Sequence, residues 1–223
     1  MDAFVQNFFN LAVLQEMYPF LLDGLWMTVK LCLAVIPLGI VAGAFVAVLY
    51  RFHVKFLNAL LIVYVDFFRS FPPLVLLIFV FYGLPFLGLE VPSFAAVVIA
   101  FTLNTSSYYG EIFRAGIESV ASGQREAARS TGLSLLQSML YVILPQATRN
   151  VAPDLISNTL EVVKVTSLAS VVALPEMLRL ARVAQGLSYN PTPLVAAAII
   201  YLLLLWPLVR LLSRLERRTL ARH

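Results

Sequence analysis

The chain has 223 residues, of which 61% are hydrophobic and only 13% charged, with a mean hydropathy of +0.88 and a net charge of +4. Soluble domains carry about a quarter charged residues, so this composition excludes a soluble globular protein and indicates an integral membrane protein. The single cysteine, Cys32, lies in an apolar run and excludes a disulfide framework, and the two histidines, His53 and His223, are too far apart in sequence to suggest a metal site.

Residues 1–20 mix polar and apolar side chains, and Phe4, Phe8 and Phe9 suggest a helix lying at the membrane interface. No basic residue precedes Lys30. The chain therefore lacks the charged start of a cleavable signal peptide, and its first span is expected to serve for targeting. That span is expected over about 21–50, with Pro37, Gly39 and Gly43 inside it and Arg51, His53 and Lys55 closing it. A second span over about 56–83 carries Asp66, Arg69 and Pro72-Pro73 at its middle. Asp66 and Arg69 stand three apart, so one helical face can pair them. The expectation is a buried pair holding a kinked helix to its neighbours, against the alternative of charges on a transport path. A third span over about 92–114 is polar in its second half, from Thr102 through Asn104, Thr105, Ser106, Ser107, Tyr108 and Tyr109 to Glu111. Such residues either let membrane helices pack closely and hydrogen-bond, or line a polar path.

Residues 116–149 form the longest polar break. Ser122 is expected to cap a first short helix, Thr131-Gly132 to stop it, and Pro145 to end a second segment bearing Leu133, Leu135, Leu136, Met139 and Leu140. Within it, Glu126-Ala127-Ala128, Gly132, Leu144 and Pro145 keep the order and spacing of a fixed pattern: Glu-Ala-Ala, three residues, Gly, nine residues, Ile, any residue, Leu-Pro. Val142 replaces the isoleucine. The segment resembles the EAA loop of the membrane subunits of ABC importers. In that family it docks into a groove of the ATP-hydrolysing subunit, which assigns ATPase coupling to Glu126, Ala127, Ala128, Gly132, Leu144 and Pro145. Further stretches, Phe68-Arg69-Ser70-Phe71-Pro72, Tyr109 to Ile117, and Leu144 to Arg149, resemble the polar-amino-acid branch of these importers. So does Val163-Lys164-Val165-Thr166-Ser167-Leu168, with Val165 standing where an acid is common. The resemblance covers roughly residues 20–220.

A fourth span is expected over about 150–172. On it Asn150, Asp154, Ser157, Glu161 and Lys164 are spaced four, three, four and three apart, which puts them on one helical face. That face is either a packing seam, with Glu161 paired to Lys164, or the wall of a substrate pathway offering an acid and a base. Residues 173–190 read as a partly helical external segment, and a fifth span is expected over about 191–212. Five spans put the termini on opposite sides. With the N-terminus outside, the inner set of basic residues is Arg51, Lys55, Arg114, Arg125, Arg129, Arg149, Arg210, Arg214, Arg217, Arg218 and Arg222, against Arg179 and Arg182 outside. Positive residues favour the cytoplasmic side, which places the 116–149 loop in the cytoplasm.

No Gly-x-x-x-x-Gly-Lys-Ser/Thr phosphate loop is present, so the chain is not expected to bind ATP or act as an enzyme. Triplets such as Gly132-Leu133-Ser134 have no suitably placed histidine for nucleophilic catalysis. The expected fold is an all-α membrane protein forming a single transmembrane domain over residues 1–223. It has about five transmembrane helices and a cytoplasmic helix-turn-helix coupling loop, and resembles a type I ABC importer permease. The resemblance implies partners: two ABC ATPase subunits holding the ATP and magnesium, a second permease subunit, an extracytoplasmic solute-binding protein, an amino acid substrate and membrane lipid, with no nucleic acid. It implies a bacterial inner membrane location. A channel or scaffold subunit without ATP coupling is the alternative, and gives no reason for the Glu-Ala-Ala spacing.

Overall fold

A computed structural model describes residues 2–52 and 54–220; His53, Arg222 and His223 lie outside the described residues, as do the side chains of Arg217 and Arg218. Every regular element among the described residues is helical. The first helix, α1 (Asp2–Phe8), is short. The second, α2 (Leu11–Leu49), runs unbroken for 39 residues, about 58 Å at 1.5 Å per residue. Asn10 starts it, its Oδ1 accepting from the amides of Ala12 (3.1 Å) and Val13 (3.2 Å). The first span's helix therefore begins well before residue 21, and only α1 is left as a separate N-terminal helix.

The expected second span is two helices, α3 (Lys55–Ser70) and α4 (Pro73–Ile78). Phe71 between them is extended (φ −84°, ψ 125°), as a residue before proline must be. A π-helical turn, Phe79–Gly83, and a 3₁₀ turn, Leu84–Leu87, follow α4. The third expected span is α5 (Ser93–Glu118), 26 residues. Next come α6 (Ser122–Ser130), α7 (Leu135–Ser138), a π turn (Met139–Ile143), α8 (Leu144–Asn150) and α9 (Ala152–Val165), which continues as 3₁₀ helix to Val172. The chain ends with α10 (Met177–Ser188) and α11 (Thr192–Leu220). Phe4–Phe52, Ala152–Val172 and Thr192–Arg214 are each long and apolar enough to cross a membrane, and Lys55–Ser70 with Pro73–Leu87 adds a broken fourth. By length α5 also suffices, at about 39 Å; its polar second half lowers its hydropathy.

Two compact units emerge, each assembled from three stretches of chain. The first comprises residues 1–35, 73–100 and 160–210. Its core joins Leu21, Met177, Ala181 and Ala197, with Leu25, Leu194 and Tyr201 packed against them. At its centre Glu176 is fully buried. Its carboxylate caps α10, accepting from the amides of Leu178 (2.9 Å) and Arg179 (2.7 Å), and takes a third bond from the Tyr201 hydroxyl (3.2 Å). The Met177 amide beside it donates to Thr28 (3.1 Å). Helices α10 and α11 thus meet at this acid, and α2 is tied in one residue away at Met177. Glu176→Ala leaves two amides and a hydroxyl without their acceptor and is expected to cost about 2 kcal/mol or more, read as a lower midpoint of thermal unfolding. Burial pushes the Glu176 carboxyl above its ordinary range. An acid raised by folding stabilises fully below its unfolded pKa and loses that contribution as pH rises through the folded value. Stability is therefore expected to fall along that limb, and Glu176→Gln, which cannot ionise, to flatten it.

The second unit comprises residues 36–72, 101–159 and 211–223. Val46, Leu61 and Val65 cluster in it with Leu49, Leu57 and Tyr64. Here α5 presses directly on α2. A Cβ placed on Gly43 would lie 2.5 Å from Tyr109 Cβ and 2.7 Å from the Gly110 nitrogen. The polar half of α5 resolves into two groups. Asn104, Thr105, Ser106 and Ser107 are buried and satisfied inside the protein. Asn104 Nδ2 donates to the Phe68 carbonyl (2.8 Å), Ser107 to the Asn104 carbonyl (2.6 Å), and Ser106 shares a 2.6 Å bond with Tyr64. Tyr109 likewise shares a 2.8 Å bond with Thr159. These are packing residues, as buried hydroxyls between membrane helices are expected to be. Tyr108, Glu111 and Arg114 are not enclosed in this way.

Candidate functional site: the coupling loop and the charged cleft

The 116–149 loop is built by local rules. Its first helix, α6, begins one residue earlier in register than expected: Ala121 is the N-cap and makes no side-chain cap, so Ser122 is the first helical residue. Gly132 ends the turn with φ +86°, and nothing lies within 4 Å of where its Cβ would be. Thr131 Oγ1 donates to the Ala128 carbonyl (2.8 Å) and Arg129 Nη1 to the Leu133 carbonyl (2.8 Å), which close the turn. Ser134 then opens the second helix with a capping box, its hydroxyl accepting from the Gln137 amide while its own amide donates to Gln137 Oε1.

Pro145 does not end this second helix. Helix continues through it to Asn150, because the π turn at Met139–Ile143 widens the backbone just before the ring. A regular α-helix would drive the proline ring into the carbonyl four residues earlier. The result presents Glu126 and Ala127 at the surface and buries Ala128. Leu135, Leu136, Leu140 and Tyr141 are exposed on the second helix. Beneath, Arg51, Arg125 and Arg129 line a small cavity of about 140 Å³ with Leu135, Met139 and Ile143.

Asp66 and Arg69 depart from expectation. Both are exposed, and no ion pair joins them among the described residues. Arg69 lies instead over the ring of Tyr108, 5.5 Å from its centre, and its carbonyl accepts from the Tyr108 hydroxyl (3.1 Å). The two charges remain neighbours in a larger feature. Asp66 and Arg69 line a cleft of about 390 Å³ together with Arg51, Glu111, Arg114 and Glu118. Arg114 is held on both sides, by Glu111 (2.5 Å) and Glu118 (2.6 Å). In the sequence alone, Arg51 and Arg114 count only as cytoplasmic charge. The Glu111-x-x-Arg114-x-x-x-Glu118 spacing was the available signal, since those intervals put all three on one face of α5.

The stripe on the fourth span is interrupted. Val151 leaves helical geometry (φ −102°, ψ 14°) between α8 and α9, and Pro153 sits in the first turn of α9. Asn150 is therefore on α8, bonded through Nδ2 to Ser119 (2.8 Å). Asp154, Ser157, Glu161 and Lys164 share α9 and are all exposed. Glu161 and Lys164 form an ion pair.

Residues 5–221 match the family described as "Binding-protein-dependent transport system inner membrane component". The chain is 38% identical over 211 residues to the "Probable glutamine ABC transporter permease protein GlnM" of Bacillus subtilis (strain 168), covering 94% of this chain and 97% of that one. It is 35% identical over 208 residues to GlnP, described in the same words, of the same organism, covering 92% and 95%. Among solved structures, "Crystal structure of an amino acid ABC transporter with histidines" superimposes with a TM-score of 0.81 at 34% identity, covering 92% of this chain and 96% of that one. With the helical fold, the long apolar helices and the Glu-Ala-Ala loop in register, these likenesses show that the chain belongs to the inner-membrane components of binding-protein-dependent transport systems.

Proposed function

We propose that this chain is the membrane-spanning permease subunit of an ATP-driven importer for polar amino acids. The observation that carries the reading is the register of Glu126-Ala127-Ala128, Gly132, Leu144 and Pro145 on an exposed helix–turn–helix with a glycine in left-handed conformation at its turn. Such a loop is a rigid lever. ATP and magnesium belong on the partner ATPases, whose closure moves α6 and the second loop helix and through them the spans. A second permease subunit, identical or paralogous, completes the pathway, and an extracytoplasmic binding protein delivers the solute. The similarity to amino acid and glutamine permeases supports the substrate class. Co-expression with a tagged ATPase subunit and uptake by proteoliposomes test the reading. Co-purification and ATP-dependent uptake of polar amino acids are expected; a permease that purifies alone and conducts without ATP would instead be a channel.

The loop lies on the cytoplasmic side and the α10–α11 turn outside, with the N-terminus outside and the C-terminus in the cytoplasm of a bacterial inner membrane, as the distribution of arginines and lysines favours. In a Cys32→Ala background, Ser134→Cys is expected to react with an impermeant maleimide only in inside-out vesicles. Tyr189→Cys, at a position 95% exposed, should react only in right-side-out cells. Labelling of both from outside would reverse the assignment of the loop.

Asp154, Ser157, Glu161 and Lys164 on α9, with Asn150 just before it, are proposed to face the solute pathway. Ionisable groups at membrane depth seek partners or water, and all four on α9 are exposed in the isolated chain. Exchanging the ion pair separates binding from packing. Glu161→Lys and Lys164→Glu each reverse a charge and are expected to lower uptake about tenfold or more. If the pair binds solute, the double exchange keeps assembly but stays low in uptake. Restored uptake with unchanged substrate preference would reduce the pair to packing.

A further inference from the structure

The small cavity beneath the loop, within the second unit, collects positive charge with nothing in it to balance that charge. Arg51, Arg125 and Arg129 line about 140 Å³ of space, and none of the described residues lining it is acidic. None of the three arginines takes part in an ion pair among the described residues. Glu118 faces Arg51 only from the neighbouring cleft, where Arg114 already holds it. Two buried atoms add to the imbalance. Ser138 lines the same cavity, is 1% exposed, and its hydroxyl has no hydrogen-bond partner. Arg125 Nε is buried and has none either, where buried polar atoms are normally bonded. Hydroxyls on helices commonly return to the carbonyl four residues back. Ser130 (2.9 Å) and Thr148 (2.8 Å) do so on the adjoining loop helices; Ser138 does not. Arg129 is fixed from outside, one of its five N–H donors bonding the Leu133 carbonyl (2.8 Å).

Three guanidiniums around so small a space repel one another, and an anion among them reverses the sign of that interaction. One carboxylate neutralises only one of the three. A phosphate group brings up to about two negative charges and several acceptor oxygens, which suit guanidinium forks and a hydroxyl donor together. The volume is well below the roughly 300 Å³ or more of drug-sized ligand sites, so it suits a single phosphate group rather than a nucleotide. We propose that this cavity is a phosphate-group site, with Arg51, Arg125, Arg129 and the Ser138 hydroxyl as its donors. Arg51 directly follows the first long apolar helix, at the level where lipid headgroups begin, so the phosphate can come from an anionic lipid as well as from solution. One bound group then ties the end of α2 to α6 and to α7. The site is complete within this chain and stands whether or not the loop docks an ATPase.

The full-length chain in phosphatidylcholine nanodiscs, without ATPase, provides the test, since no nucleotide site then competes for phosphate. Its thermal midpoint is followed as inorganic phosphate replaces chloride at constant ionic strength. A ligand of the folded state raises the midpoint, by about 3 °C or more at roughly ten times its dissociation constant. A second set of nanodiscs carries phosphatidic acid in place of part of the phosphatidylcholine. A gain from dissolved phosphate assigns a free anion and a gain from phosphatidic acid alone assigns a lipid phosphate; either upholds the site. Ser138→Ala and Arg125→Gln are each expected to weaken the phosphate about tenfold or more. In chloride, Ser138→Ala should be at least as stable as wild type, because it removes a buried hydroxyl that has no partner. A purely structural serine would give the reverse, a lower midpoint in chloride and phosphate alike. No gain from either phosphate source, an equal gain in wild type and both variants, or a Ser138→Ala chain less stable than wild type in chloride would each overturn the site.

Discussion

Gly132→Val is expected to abolish coupling between ATP hydrolysis and transport while leaving the chain inserted and folded. The effect is conformational. Gly132 sits at φ +86°, a region that costs a non-glycine residue roughly 1–2 kcal/mol, and a β-branched one more. Nothing lies within 4 Å of a Cβ there, so the added side chain meets no neighbour and the whole effect passes through the backbone. The turn relaxes toward negative φ and the second loop helix is re-aimed relative to α6. The capping box at Ser134 and Gln137 keeps that helix intact, so it moves as a unit and leaves its docking position. Gly132→Asn, which tolerates the left-handed region, should retain most activity, and that contrast separates geometry from bulk. Glu126→Lys is the companion test. Glu126 is the fifth residue of α6 and exposed, so the reversal costs the fold little and acts on the partner. Solute-stimulated ATP turnover is the measurement. Wild-type turnover in both Gly132→Val and Glu126→Lys would refute the docking role.

Gly43→Ala is expected to have the opposite signature: loss of the folded protein with no specific effect on coupling. One methyl group at Gly43 would lie 2.5 Å from Tyr109 Cβ, 2.7 Å from the Gly110 nitrogen and 2.9 Å from the Tyr109 carbonyl carbon. Two of these three atoms are backbone, and the third is the Cβ that anchors a fully buried tyrosine. None can turn aside as the end of a flexible side chain can. The helices must separate, which opens the packing beneath Tyr109 and breaks its bond to Thr159. Overpacking of this kind costs about 1–3 kcal/mol and sometimes more. Gly123→Ala is the control. It places the same methyl group in α6, where nothing lies within 4 Å, and should be neutral or stabilise by up to about 1 kcal/mol. The yield of monodisperse complex and the thermal midpoint distinguish the two. A Gly43→Ala protein as stable as wild type would mean that α2 and α5 are not pressed together as described.

The sequence by itself determined what depends on composition and on neighbours in the chain. The long continuous apolar runs dictate membrane-spanning helices, because a backbone in lipid must satisfy its own hydrogen bonds and a run of about 20 apolar residues does so within itself as a helix. Thr131-Gly132 sets the turn between α6 and the second loop helix, and Pro72-Pro73 marks where the second span cannot stay one helix. These are short-range effects of backbone conformation, legible without a fold. The register of the Glu-Ala-Ala loop is equally local, and it carried the functional reading. What only the tertiary structure decided are pairings between distant residues. Spacing alone matched Asp66 with Arg69, but Arg69 found Tyr108, 39 positions away. The polar run from Asn104 to Ser107 could line a path or pack, and its bonds to Phe68 and Tyr64 settle it as packing. Pro145 reads as a helix stop until the π turn before it removes the clash. Glu176 looks like any charge in a loop, yet Leu178, Arg179 and Tyr201 bury it as an acceptor. In each case a side chain's role follows from which donors and acceptors the fold brings to it, and hydrogen bonds formed across dozens of residues leave no periodic trace in the sequence.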